Sequence, residues 1–297
     1  MRVLVTGATG FTGSYTVPLL LEKGYTVRCF VRKSSDLSTL PVDQIEVVEG
    51  DLEDSTSIEN ALQGMNSFVN IASLGFGYDK TLIPVLVRSS VKRAVFVSTT
   101  SIFTHLNPAS KSIRIRAEEM IKKSNLDYTI LRPTMIFGSP RDRNISRLIR
   151  FICRSPIMPV FGNGEYLQQP VYVGDVARSV VEVLGNDATI SNEYNIGGAD
   201  SLTYNQVIDI IAKKADRKVK KIYIPYMPVV RVLSLFERIS LTLPIKAEQI
   251  LRLNEHKSFS YADAERDFNY KPLPFHDVIE VEMREMGIIN SEIYKDI

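Results

Sequence analysis

Over the first 130 positions, apolar residues fall into short runs separated by longer amphipathic segments. Val3 to Val5, Tyr25 to Val31, Ile45 to Glu49, Ser67 to Ile71, Arg93 to Val97 and Tyr128 to Leu131 have the length and the Val, Ile and Phe content of buried parallel strands. Between them, Ser14 to Lys23, Ser55 to Gly64, a segment ending near Ser90, and Ser112 to Ser124 read as helices, the first stopped by Gly24. Such alternation predicts an α/β fold, a doubly wound parallel sheet with helices on both faces. Pro133 is expected to end the sixth strand. Further on, Phe161 to Gly164 reads as a turn. Asp175 to Leu184 reads as a helix with Asp175 as its N-cap, Glu193 to Ile196 as a strand returning to the sheet, and Thr203 as the start of another helix.

The 297 residues, 44% of them hydrophobic, can bury a large core. A net charge of +2 with interspersed acids and bases gives no sign of a nucleic-acid partner. The basic run Lys213 to Lys221 reads as a solvated face. Two cysteines, Cys29 and Cys153, cannot form a disulfide framework and fit a reducing cytoplasm. The amino terminus does not read as a signal peptide, because glycines interrupt its apolar run. The most apolar later stretch, Ile224 to Ile245, contains Arg231, Glu237 and Arg238, too many charges for a membrane span. Val229, Val230, Leu233, Phe236 and Ile239 form a stripe that fits core or a homodimer interface. No metal-ligand spacing stands out.

Candidate chemistry concentrates at the carboxyl ends of the strands. Gly7, Gly10 and Gly13 follow the first strand and open the first helix, so bare backbone amides and the helix N-terminus converge as a phosphate site. Gly7 permits a tight turn, Gly10 a close pyrophosphate, and Gly13 close packing of helix on strand. The second strand ends in Arg32-Lys33-Ser34, without the acid that holds a ribose 2′-hydroxyl. An arginine there suits the 2′-phosphate of NADP over NAD. Asp51, past the third strand, is placed to accept from adenine or to cap the next helix. Ala72-Ser73 let a nucleotide lie close. Leu74 to Tyr78 is a glycine loop with aromatics, and Ser98 to Ser101 form a hydroxyl cluster.

Thr6 to Gly13 (TGATGFTG), Gly50-Asp51-Leu52, Val97-Ser98-Thr99, Ala117-Glu118, Asp127 to Pro133 (DYTILRP) and Gln169 to Ala177 (QPVYVGDVA) occur in that order. Together they resemble the extended and atypical short-chain dehydrogenase/reductases of the nucleoside-diphosphate-sugar epimerase/dehydratase-like group, over nearly the whole chain. The resemblance implies a Rossmann cofactor domain over 1–160, to which 170–200 returns, and a smaller, mainly substrate-binding cap over 161–297. It implies that Gly7, Thr9, Gly10, Phe11, Thr12 and Gly13 line the pyrophosphate, that Arg32 meets the adenosine phosphate, and that Asp51 and Leu52 meet the adenine. Ile71, Ala72 and Ser73 would flank the ribose, Pro133 and Thr134 the nicotinamide end, with Ser98 beside them. Thr99 would hydrogen-bond a substrate oxygen. Gln168, Gln169 and Tyr172 would project toward the substrate pocket.

The chain departs from that family where active members carry a tyrosine and a lysine four residues apart on the helix before strand six. Their closeness lowers the phenol pKa for proton transfer. Here the lysine position holds Arg114 and the tyrosine position Ser110; Lys111 has Asn107 four residues before it. Arg114 could still hold a ribose hydroxyl. Tyr78 and His105 are the stand-ins for the acid, against plainer roles as an aromatic lid over the cofactor and a surface loop residue. The loop Glu165 to Gln169 lacks the arginine of many nucleotide-sugar binders. The expected function is NADP(H) binding with oxidoreductase or epimerase-type chemistry on a small carbonyl or hydroxyl substrate. The rival is a non-catalytic NADP(H)-binding regulator or assembly factor that has lost the tyrosine.

Overall fold

The computed structural model describes residues 1–106, 108–238 and 246–289. Ile239 of the apolar stripe and Asn107 lie outside the described residues. The chain opens with β1 (Arg2–Thr6), α1 (Phe11–Glu22), β2 (Thr26–Val31), β3 (Glu46–Glu49), α2 (Ser55–Leu62) and β4 (Ser67–Asn70). It continues with α3 (Asp79–Arg88), β5 (Arg93–Val97), α4 (Ala109–Lys122) and β6 (Asp127–Pro133). Then come β7 (Met135–Phe137), α5 (Ile145–Arg154), β8 (Ile157–Phe161), β9 (Leu167–Gln168), β10 (Pro170–Tyr172) and α6 (Val173–Leu184). The remainder is β11 (Asn192–Ile196), β12 (Leu202–Thr203), α7 (Tyr204–Lys214), β13 (Lys220–Ile224), α8 (Tyr226–Arg238), α9 (Ala247–Leu253), α10 (Ala262–Phe268) and α11 (Phe275–Glu285).

Seven strands form one parallel sheet in the order β11-β6-β5-β4-β1-β2-β3. The order reverses direction at β1, between β2 and β4. At such a switch point the connections leave toward opposite faces and open a crevice at the strands' carboxyl ends. Alternation along each strand builds a core on each face. Val3, Val5, Val27, Cys29, Val31, Val69, Val95 and Leu131 pack against α1 and α6. Leu4, Phe30, Phe68, Ala94, Phe96 and Ile130 pack against α2, α3 and α4. A third cluster joins Ile145, Ile149, Val160, Val207, Ile211, Phe275 and Ile279. Burial pushes the Cys29 thiol up to about 12, so this side chain is packing and not a nucleophile.

Several boundaries shift. β6 runs two residues past Leu131 and has Pro133 as its last residue, paired with Ile196. α4 starts at Ala109, three residues before Ser112, because Pro108 occupies its N-cap in extended conformation. Asp175 is not the N-cap of α6. Tyr172 holds that place, and Asp175 sits buried in the first turn, where its Oδ2 accepts from the Leu273 amide at 2.9 Å and Arg178 pairs with it. Asp51 does not cap α2 either; Asp54 does, accepting from the Thr56 amide. The stripe on α8 turns Val230 onto Ala247 and Ile250, and leaves Val232 and Leu235 exposed. Lys214 and Lys221 of the basic run pair with Glu280 and Asp209. Among the described residues no helix is long and apolar enough to cross a membrane, and no group of three or more His, Cys, Asp or Glu side chains is placed to hold a metal ion.

Candidate functional site

The glycine turn between β1 and α1 is fixed by contacts that only glycine permits. Gly7 has φ of +71°, and a Cβ there would stand 2.5 Å from the Ala72 nitrogen. A Cβ on Gly13 would stand 2.2 Å from the Gly7 oxygen. Gly10 caps α1 without any side-chain hydrogen bond, and its own amide donates to the Gly7 oxygen at 3.0 Å. The first-turn amides of α1 therefore face a cleft of about 1430 Å³ lined at this end by Gly10, Phe11, Thr12, Ile71 and Ser73. This cradle fits a nucleotide pyrophosphate: donors converge at a helix N-terminus, and Gly7, Gly10 and Gly13 bring no side chain into the turn.

The other cofactor candidates lie along the same edge of the sheet. Arg32 is exposed just past the end of β2. Asp51 is exposed, with Oδ1 taken by the Glu53 amide at 2.9 Å, and Leu52 packs partly into the core beneath. Ile71 and Ser73 line the cleft, whereas Ala72 packs toward the core and supports Gly7. Thr9 turns its carbonyl to Arg141. Thr134 lines the opposite wall, its hydroxyl bonded to the Gln169 oxygen, and Pro133 stands directly before it.

Thr99 lies in the cleft, its hydroxyl accepting from the Ser101 amide at 3.2 Å. Ser98 beside it donates to Glu118. Arg114 and Ser110 occupy the same face of α4, one turn apart, and the guanidinium donates to the Ser110 hydroxyl at 2.8 Å. Burial, then the nearby Arg252, hold the Arg114 pKa below its usual value. Tyr78 is neither the acid nor a lid. A short turn at Leu74–Phe76 and the left-handed Gly77 swing it inward, where it is 4% exposed and donates to the Ala72 oxygen at 2.6 Å. Burial pushes its phenol above the ordinary range, away from proton exchange near neutrality. His105 is exposed at the rim of the cleft, its backbone amide bonded to Glu255.

The substrate-side loop is sorted by the fold. Gln168 lines the cleft, 2% exposed, and its Nε2 is buried without a hydrogen-bond partner. Gln169 turns away, donating to the Gly198 oxygen at 3.0 Å, and Tyr172 packs on Phe137 with ring centroids 6.2 Å apart.

Other residues were not singled out by the sequence. Arg141, after β7, reaches back to donate to the Thr9 oxygen at 2.7 Å and the Ser14 hydroxyl at 3.1 Å, closing the glycine turn from its open side. Arg143, Arg147 and Arg252 also line the cleft, so it is cationic although residues 165–169 carry no arginine. Lys257 completes this set. Its Nζ donates to the Arg252 carbonyl and lies 3.5 Å from the Gln168 Oε1.

The Arg141 loop is pinned by α11. The Gly138 amide donates to Glu282 Oε2 at 2.9 Å, and Glu282 is fully buried. Burial, with a hydrogen bond to the Asp142 carboxylate, pushes Glu282 up to about 10. A folded-state value above the ordinary one means that this group's stabilisation is complete below about pH 4.5 and is lost as pH rises through about 10. Glu282→Gln keeps a donor for Asp142 and an acceptor for Gly138. Its melting temperature is expected to exceed that of the wild type near neutral and alkaline pH by several degrees, at about 2–4 °C per kcal/mol. It should also fall less steeply as pH rises. Parallel melting curves across the pH range would show that Glu282 does not titrate in this window.

Comparison with known proteins follows the same line. Residues 7–187 match a family model described as NAD(P)H-binding. The chain is 28% identical over 222 residues to NADH dehydrogenase (ubiquinone) 1 alpha subcomplex subunit 9, mitochondrial, of Dictyostelium discoideum, covering 70% of this chain and 62% of that one. It thus spans less than two thirds of that relative. It is 23% identical over 258 residues, 76% of each chain, to N-acetyl-alpha-D-glucosaminyl-diphospho-ditrans,octacis-undecaprenol 4-epimerase of Escherichia coli O157:H7. In fold it is similar to the crystal structure of UDP-glucose 4-epimerase with UDP-glucose from Thermotoga maritima. The TM-score is 0.76 at 18% identity, over 97% of this chain and 99% of that one.

Proposed function

The chain belongs to the NAD(P)H-binding family, whose pattern it carries from Gly7 to Asp187, and from that premise we propose that it is an NADP(H)-dependent oxidoreductase or epimerase acting on a small carbonyl or hydroxyl compound. The observation that carries this reading is one continuous cleft from the bare N-terminus of α1 at Gly10–Thr12 to Thr99 and Thr134. The amides of the Gly7–Gly13 turn would hold the pyrophosphate, and Arg141 would close over it. Arg32 would hold the 2′-phosphate, Asp51 and Leu52 the adenine, and Ile71 and Ser73 the ribose. Thr134 would stand at the nicotinamide. A bound nicotinamide supplies or accepts a hydride at that end. Arg114, held by Ser110, would orient a ribose hydroxyl, and Thr99 a substrate oxygen. The cations Arg143, Arg147 and Arg252 suit a substrate that carries an acidic group. A reducing cytoplasm remains the compartment that two unpaired thiols fit.

The test couples binding to turnover. NADPH is expected to raise the melting temperature more than NADH does, and Arg32→Ala to remove most of that difference, a loss of roughly tenfold or about 1.4 kcal/mol in NADPH affinity. Equal responses of both proteins to both nucleotides would remove Arg32 from the site. A panel of carbonyl compounds, acidic ones included, should reveal NADPH oxidation. The second reading, an NADP(H)-binding regulator or assembly factor, is favoured by one observation: a serine stands where related enzymes carry a phenol. Stabilisation by NADPH without turnover of any compound would select it.

A further inference from the structure

The Ser110–Arg114 pair cannot exchange a proton near neutral pH, since a serine hydroxyl is too weak an acid and an arginine stays charged. Tyr78 is sealed in the core. One amine is left facing the cleft. Lys257 is the only lysine among the described cleft-lining residues. Its segment is stitched to the substrate loop, with the Lys257 amide donating to the Leu167 oxygen at 2.8 Å and the Phe259 amide to Gln169 Oε1 at 2.9 Å. Gln169 in turn holds Thr134 at the nicotinamide end. On the other side Glu255 accepts from the Thr104 hydroxyl and the His105 amide, just beyond Thr99. Lys257 is thus bracketed between the two walls that would enclose the reacting carbon. Beside it the Nε2 of Gln168 is buried and makes no hydrogen bond.

We propose that Lys257 is the proton-carrying residue of this cleft, exchanging a proton between its Nζ and the carbonyl or hydroxyl oxygen of the substrate. This rests on the oxidoreductase reading above. In the reducing direction an Nζ–H bond breaks and a substrate O–H bond forms as the carbonyl carbon gains the hydride. The neutral amine then regains its proton from water. In the oxidising direction the amine takes the hydroxyl proton. The charged groups around Nζ favour a labile proton. Burial and Arg252 push Lys257 down to about 8, Glu255 opposing them, with Arg114 beyond Arg252 and the imidazoles of His105 and His256 also along the cleft. His256 is directed elsewhere, its Nδ1 accepting from the Leu167 amide at 3.2 Å.

The first experiment needs no substrate. Acetic anhydride is reacted competitively with the lysines of the folded protein across pH, and each site is read by mass spectrometry. Lys257 is expected to titrate near 8 while surface lysines titrate near about 10.4. Titration with the surface set, or no reaction at any pH, overturns the proposal. The second experiment uses Lys257→Met and Lys257→Arg. Both should keep the NADPH-induced rise in melting temperature and lose turnover by about 100-fold. Both should also lose the limb of the wild-type pH–rate profile near 8, because arginine keeps the charge but not the exchangeable proton. Wild-type turnover in Lys257→Met sinks the proposal and leaves the reading of the cleft intact. Absence of any NADPH response in the wild type sinks the reading itself.

Discussion

Gly13→Ala is expected to reduce NADPH affinity at least 1000-fold, about 4 kcal/mol. The added Cβ would lie 2.2 Å from the Gly7 oxygen and 2.5 Å from the Ala8 oxygen, both backbone atoms that cannot rotate aside. Relief requires α1 to move off β1. Its first-turn amides would then no longer meet at one phosphate, and the helix charge would move with them. Overpacking of this kind also costs roughly 1–3 kcal/mol of stability. Gly24→Ala is the matched control. Its φ of +80° makes alanine strained, but nothing lies within 4 Å of the new carbon, so it should lose about 1 kcal/mol of stability and no affinity. Calorimetric titration of both folded variants checks this. Equal affinities in Gly13→Ala and wild type would mean that the turn is not the phosphate site.

Arg132→Met should give the largest loss of stability, roughly 3–5 kcal/mol, as expected when one member of a buried ion network is removed. Arg132, the penultimate residue of β6, holds its guanidinium between Glu118, 3% exposed, and Glu193, and the Nε–Oε2 distance to Glu118 is 3.1 Å. It also lies 5.4 Å from the centroid of Phe103. Methionine fills much of the volume but leaves the Glu118 carboxylate with the Ser98 hydroxyl alone, and Ser98 lines the cleft next to Thr99. The melting temperature should fall by about 6–20 °C at roughly 2–4 °C per kcal/mol. Arg132→Met combined with Glu118→Gln should recover part of it. A fall under about 2 °C would show that the network contributes nothing net, as some buried pairs do.

The parallel sheet was legible in the sequence because its strands are buried on both faces. Val3, Leu4 and Val5 serve opposite cores, and such runs cannot hide among solvated segments. The glycine turn was legible because its spacing encodes backbone geometry directly, as Gly7 and Gly13 show. What remained illegible depends on contacts between distant segments. Tyr78 reads as a loop aromatic at the ligand edge, yet one left-handed residue, Gly77, turns it into the core. Arg141 reaches a carbonyl 132 positions away, and Lys257 faces a glutamine 89 positions away. Neither sits in a local pattern that announces a site. Asp175 illustrates the reverse error: an acid at a helix start suggests a cap, whereas here it tethers the segment leading to α11.

Isothermal titration of the purified full chain with NADPH, and separately with NADH, tests the central claim most directly. Saturable one-to-one binding of NADPH, at least tenfold tighter than NADH and abolished by Gly13→Ala, is the predicted result. No heat of binding with either nucleotide, or NADH bound more tightly than NADPH, would contradict it.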